Sequence, residues 1–116
     1  MSKVIKLKPG EVLINEGDEK TDLYWVQSGE LMVFQRRHHY EIHLDKIKAD
    51  ELIGEMSMID KKPRSATIQA LTDCEIIQFS TDEIYDIFES QPKIIQVLLQ
   101  TLTDRLRKTN ARINKN

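Results

Sequence analysis

The chain has 116 residues, 40% hydrophobic and 31% charged, with four glycines and three prolines; that length encloses one apolar core, and the composition excludes low complexity, fibrous repeats and, for most of the chain, disorder. Seventeen Lys and Arg against nineteen Asp and Glu leave a net charge of -2, so no overall positive field is available to hold a polyanion, and nucleic acid is not expected as a partner. One cysteine (Cys74), no signal-peptide pattern and no apolar run near the roughly 20 residues of a bilayer span predict a cytoplasmic protein that does not cross a membrane.

From Val12 to about Ser80, short β-rich runs alternate with turn residues, the pattern of an all-β sandwich or barrel. Pro9-Gly10, Glu16-Gly17-Asp18 and Ser28-Gly29 punctuate them. Leu23-Tyr24-Trp25-Val26 and Leu31-Met32-Val33-Phe34 flank the last of these turns and read as a β-hairpin. Tyr40 to Ile47 sets Tyr40, Ile42 and Leu44 against Glu41, His43 and Asp45, a period of two that predicts a strand with one wet face. The segment Gly54 to Ser65 interrupts the pattern with a turn of helix. Strand character resumes over Ala66 to Leu71 and Glu75 to Phe79, joined through Thr72-Asp73-Cys74.

Then the period changes. Ser80 stands three residues before Glu83, the spacing of a capping box, and Ile84, Ile87 and Phe88 follow at helical intervals; a short helix over Thr81 to Glu89 is predicted. Ser90 as N-cap and Pro92 in the first turn open a second, longer helix. Along it Ile95, Leu99, Leu102, Leu106, Thr109 and Ile113 recur at alternating steps of four and three, the a and d positions of a coiled-coil seam that joins a second copy or packs on the β structure. Arg105, Arg107, Lys108, Arg112 and Lys115 gather toward its end, where the helix dipole favours each cation by about 0.3–1 kcal/mol, so this cluster does not argue for nucleic acid. A single domain over residues 1–116 follows, mainly β over about 7–80 and helical over about 81–113.

The chemistry is concentrated between Leu52 and Ala66. Gly54 permits close approach of the backbone, and the amides after it open a helix, where they lack internal acceptors and can hold an anion. Arg64 adds a planar, permanent cation matched to two phosphate oxygens, and Ser65 a hydroxyl donor. Glu55 would repel a lone anion but makes sense as an acceptor for a sugar hydroxyl beside it. Phosphate plus ribose is implied. No metal is expected at His38, His39 and His43: on a strand His39 and His43 share a face, His38 points away, and no carboxylate completes the set. Cys74 has no His or second Cys beside it. With no paired carboxylates, triad or metal cluster, the chain is not read as an enzyme.

Ile53-Gly54-Glu55-Met56-Ser57-Met58 followed by Pro63-Arg64-Ser65-Ala66-Thr67 resembles the phosphate-binding cassette of cyclic-nucleotide-binding domains. Upstream, Pro9-Gly10-Glu11, Glu16-Gly17-Asp18, Asp22-Leu23-Tyr24-Trp25-Val26 and Gly29-Glu30-Leu31-Met32-Val33 follow in that family's order, so the resemblance runs from Leu7 to Ile113. It implies an eight-stranded β-roll (jelly roll) followed by a short helix and a long C-terminal helix. It also implies 3′,5′-cyclic AMP, or cyclic GMP, as ligand in the roll, with the C-terminal helix responding. Carried over by position, Arg64 pairs with the cyclic phosphate and Glu55 accepts from the ribose 2′-hydroxyl. The backbone of Gly54, Glu55, Met56 and Ser57 assists, and Ser65, followed by Ala66 in the same cassette, meets the phosphate or base. Aligned on Arg105-Leu106, the long helix is similar to that of the bacterial catabolite activators and sets Thr109 and Asn110 against the adenine amino group, which favours cyclic AMP. Ile53 stands where Phe is frequent and Ser57 where Ala is common, departures that bear on packing.

The activators continue into a DNA-reading helix-turn-helix where this sequence stops, so direct DNA contact is not expected. The expected partners are the nucleotide, a second copy through the helical seam, and an effector domain or protein. Two other readings stand beside this one: a degenerate roll acting as an oligomerisation or interaction module, and the regulatory piece of a longer enzyme or channel.

Overall fold

Branched and aromatic side chains fill the runs between turns, and such residues fit a pleated, half-buried surface. In a computed structural model, which describes residues 2–113 with 110–113 by backbone alone, they form eight strands. These are β1 (Lys3–Leu7), β2 (Val12–Ile14), β3 (Leu23–Ser28), β4 (Leu31–Arg37), β5 (Tyr40–Ile47), β6 (Leu52–Ile53), β7 (Thr67–Ala70) and β8 (Cys74–Phe79). The helices are α1 (Glu55–Asp60), between β6 and β7, α2 (Thr81–Glu89) and α3 (Lys93–Ile113). The chain divides into two compact units, the first ending at Thr81 and the second beginning at Asp82.

The first unit is the β-roll. Its antiparallel sheets have strand orders β1-β8-β3-β6 and β2-β7-β4-β5. Leu7, Val26 and Ile76 from one sheet pack with Ile14, Leu31 and Ala70 from the other. Val26, Leu31 and Ile76 are wholly buried, each contributing about 1.5–3 kcal/mol by leaving water.

Two expectations are corrected here. β3 and β4 do not form a hairpin: β3 pairs with β8 and β6, and β4 with β5 and β7. The turn at Ser28-Gly29 instead carries the chain from one sheet to the other. Gly29 has φ 93°, and a Cβ on it would run into Asp73 O and Cys74 Sγ, so the turn lies tight against the β7–β8 connection. There the Leu71 amide donates to Glu30 O at 2.9 Å. A hairpin and a change of sheet both want a glycine at positive φ, and a turn signal does not distinguish them.

The second correction concerns β5, which has the expected bounds but no dry apolar face. Residues 40–46 are exposed, Tyr40 by 75%, and Ile47 alone in the strand is buried. The β4–β7 ladder stops at Phe34 and Thr67, whereas the β4–β5 ladder runs on to Arg37 and Tyr40. The outer half of that hairpin therefore projects past the strand flanking it.

In the second unit α2 has the predicted bounds. The start of α3 differs from expectation. Ser90 closes α2 instead of opening α3, its hydroxyl donating to Ile87 O at 2.6 Å. Pro92 stands before the first turn and its carbonyl accepts from Ile95 N (2.9 Å) and Gln96 N (3.2 Å), a place where no N–H is needed. The seam residues Ile95, Leu99, Leu102 and Leu106 are exposed, and the side chain of Ile113 lies outside the described residues. Among the described residues no helix is long and apolar enough to cross a membrane.

Candidate functional site

Gly54 turns the chain from β6 into α1 with φ 92° and ψ 10°, a left-handed conformation that glycine adopts at little cost. A Cβ there would run into Arg64 Nη1 and Asp22 O; the bare backbone is what lets a guanidinium lie against it. The first intrahelical bond of α1 runs from Met58 N to Gly54 O at 3.2 Å. The amides of Glu55 and Ser57 come before it and have no acceptor within the helix. Lys61, with φ 56°, ends α1 by donating its amide to Ser57 O at 2.8 Å.

Arg64 is held in place by its backbone. Its amide donates to Asp18 O (2.7 Å) and its carbonyl accepts from Gly17 N (2.8 Å), so the Glu16-Gly17-Asp18 turn anchors it. The residue is 5% exposed. Nη2 donates to Asp22 O at 2.6 Å, Nη1 to Gly54 O at 3.5 Å, and the guanidinium carbon lies 6.0 Å from the Tyr24 ring centroid. These partners are carbonyl dipoles and a π face; among the described residues Arg64 makes no ion pair. The nearby Asp22 carboxylate is engaged by Gln78 Nε2. Burial pushes the Tyr24 hydroxyl above its usual pKa, the Asp22 charge adds to that, and Arg64 opposes it. A buried cation without a counter-charge is costly, and an anion arriving beside it removes the cost.

A cavity of about 610 Å³ opens at this point. Gly54, Glu55, Met56, Ser57, Arg64, Ser65 and Ala66 all line it, so the structure brings together every residue singled out between Leu52 and Ala66. Ser57 and Ala66 are buried, Glu55 and Ser65 exposed. Gln35 Nε2 donates to Ser65 O at 2.7 Å, and the Thr67 hydroxyl accepts from Glu16 N at 3.1 Å; both bonds hold the chain after Arg64 in place. Thr109 is on α3 in the second unit, its hydroxyl donating to Arg105 O at 3.1 Å, and the Asn110 side chain lies outside the described residues. His43 Nε2 is 3.6 Å from Glu41 Oε1, and the buried Cys74 thiol donates to Glu30 O and Thr72 O.

Sequence reasoning missed the opposite wall. Ile14, Val33, Asp45, Ile47 and Ile68 also line the cavity, from all four strands of the β2-β7-β4-β5 sheet. Their alternation along single strands was readable, but not which strands would stand side by side. The arrangement suits an amphiphilic anion: a buried guanidinium and helix-opening amides for its charge, an exposed carboxylate for hydroxyls, and aliphatic side chains for an apolar ring.

The family profile described as cyclic nucleotide-binding domain matches residues 4–91. The chain is 30% identical over 103 residues to the cAMP-activated global transcriptional regulator CRP of Haemophilus influenzae, covering 87% of this chain and 46% of that protein. It is 28% identical over 101 residues to patatin-like phospholipase domain-containing protein 6 of Mus musculus, covering 85% of this chain and 8% of that one. It thus spans less than half the length of either relative. Among solved structures, the halfsite-occupied form of EAL enzyme Bd1971 matches with TM-score 0.89 at 25% identity, covering 95% of this chain and 99% of that one. The cAMP-bound form of the same enzyme matches with TM-score 0.71 at 26% identity, over 94% of this chain and 29% of that one.

Proposed function

The chain belongs to the cyclic nucleotide-binding domain family, and from that membership we propose that it is a regulatory sensor whose roll binds a 3′,5′-cyclic purine nucleotide, cyclic AMP ahead of cyclic GMP. The observation that carries this reading is Arg64: a buried guanidinium, without an ion pair among the described residues, on the wall of a cavity large enough for a nucleotide. The cyclic phosphate supplies the missing counter-charge. The amides of Glu55 and Ser57 donate to it, Ser65 adds a hydroxyl, and the Glu55 carboxylate accepts from the ribose 2′-hydroxyl. The preference for cyclic AMP rests on the alignment of Thr109 and Asn110, and is supported by the cAMP named for one relative.

No bond is made or broken in this reading. Ligand binding favours one of two arrangements of α2 and α3, because a ligand shifts only states for which its affinity differs. The 116 residues act as one cytoplasmic domain, the roll as receiver and the helices as transmitter. The α3 seam joins a second copy, and an effector domain or protein takes up the signal. Titration calorimetry tests the core of this. Arg64→Ala should weaken cyclic AMP and cyclic GMP binding by roughly 2–5 kcal/mol, the cost of stripping a charge-assisted pair, with Arg64→Lys in between. A folded Arg64→Ala protein with unchanged affinity would overturn the reading.

A further inference from the structure

A bulge in β5 puts a carboxylate at the end of an otherwise aliphatic floor. In an unbroken ladder continuing from the Phe34–His43 pair, Val33 would face Leu44; the register shift makes it face Asp45 instead. One residue of slip exchanges the two faces of a strand, and bulges beside binding sites re-aim side chains in this way. The result is a single row across the sheet. Ile14 pairs with Ile68, Ile68 with Val33, and Val33 with Asp45, and all four line the cavity. In the parallel row Ala70, Leu31, Ile47, Ala70 and Leu31 are buried core and Ile47 also touches the cavity.

Asp45 is the charged end of this floor. Its Oδ1 accepts from the Lys46 amide at 2.8 Å, and Oδ2 has no partner among the described residues. Of the other two acids lining the cavity, Glu55 opens α1, and Glu51 is turned back to its own loop, its Oε2 accepting from the Lys48 amide at 3.0 Å. An ionised carboxylate accepts and does not donate. It repels a phosphate and can only pair with N–H or O–H groups at the far end of whatever lies on the floor.

We propose that Asp45 is a specificity-determining residue that accepts from an N–H on the edge of the ligand's purine, the ring lying over Ile14, Ile68 and Val33. This rests on the cyclic-nucleotide reading above. The shared chemistry is an amine beside a flat apolar ring, borne by adenine at C6 or by guanine at C2, where ring N1–H adds a second donor. Calorimetry on the wild-type chain and on Asp45→Ala and Asp45→Asn distinguishes the two. Cyclic AMP is compared with the cyclic phosphate of unsubstituted purine riboside, and cyclic GMP with cyclic IMP.

Wild type should favour the amine-bearing member of at least one pair by roughly tenfold, the size of one well-placed hydrogen bond to a charged group. Asp45→Ala should lower that ratio severalfold while the amine-free ligand keeps its affinity, any remainder being due to Thr109 and Asn110, and Asp45→Asn should lower it less. The pair that responds identifies the base. Ratios that are the same in wild type and Asp45→Ala, with binding intact, would overturn the role of Asp45 and leave the cyclic-nucleotide reading standing. Binding of none of the four ligands by the folded wild-type chain would overturn both.

Discussion

Gly54 and Arg64 compete for one piece of space, and only the absence of a Cβ lets both fit. Gly54→Ala therefore carries two penalties, strain at φ 92° and displacement of the guanidinium. Gly17 has φ 89° with nothing within 4 Å of where a Cβ would stand, so Gly17→Ala isolates the strain, about 1–2 kcal/mol. Urea unfolding should show Gly54→Ala losing more stability than Gly17→Ala, and calorimetry should show weakened nucleotide binding in Gly54→Ala. Equal losses would mean that Arg64 swings aside freely. Tyr24 makes a second test at this scale. Its pKa is raised in the folded state, so the folded chain keeps a proton that the unfolded chain releases above about pH 10. Stability attributable to this group is whole below that pH and falls as pH rises through the folded value. Urea unfolding across the alkaline range should show a decline that Tyr24→Phe lessens; a Tyr24→Phe protein tracking wild type at each pH would rule out that assignment.

At the scale of elements, the same four-residue apolar runs serve different ends according to what stands beside them. β3 and β4 are equally hydrophobic and adjacent in sequence, yet each finds its partners elsewhere, because opposed sheets bury both runs face to face while a lone hairpin leaves one face of each in water. α1 has only six residues, too short to persist alone, and is held between the left-handed residues Gly54 and Lys61. α3 is 21 residues long with an exposed apolar stripe, and the proposed second copy has a direct test. Light scattering should return twice the chain mass for wild type and the single mass for Leu99→Glu/Leu106→Glu. A wild-type protein at the single mass across concentrations removes the seam from the proposal.

For the molecule as a whole, a ligand that binds the folded chain and not the unfolded one must raise its stability by mass action. At a free concentration about one hundred times Kd the gain is about 2.7 kcal/mol. A thermal melt with cyclic AMP should therefore move upward in wild type and stay put in Arg64→Ala. No movement in wild type at high ligand would favour the degenerate roll over the sensor.

What depends on neighbours along the chain is legible in the amino-acid sequence alone: the strand runs, the bounds of α2, and the Gly54 to Ser57 and Arg64 to Ala66 segments that meet at the cavity. Glycines at turns, helical spacing and the choice of cation are local properties, and local chemistry writes them into residue order. Three things were decided only in three dimensions: which strands share a sheet, that Arg64 is buried against carbonyls and makes no ion pair among the described residues, and that Asp45 ends the floor. Each depends on hydrogen bonding between segments distant in sequence, and the last on a one-residue bulge, which exchanges the faces of a strand and shows along the chain merely as a three-residue step from Leu44 to Ile47.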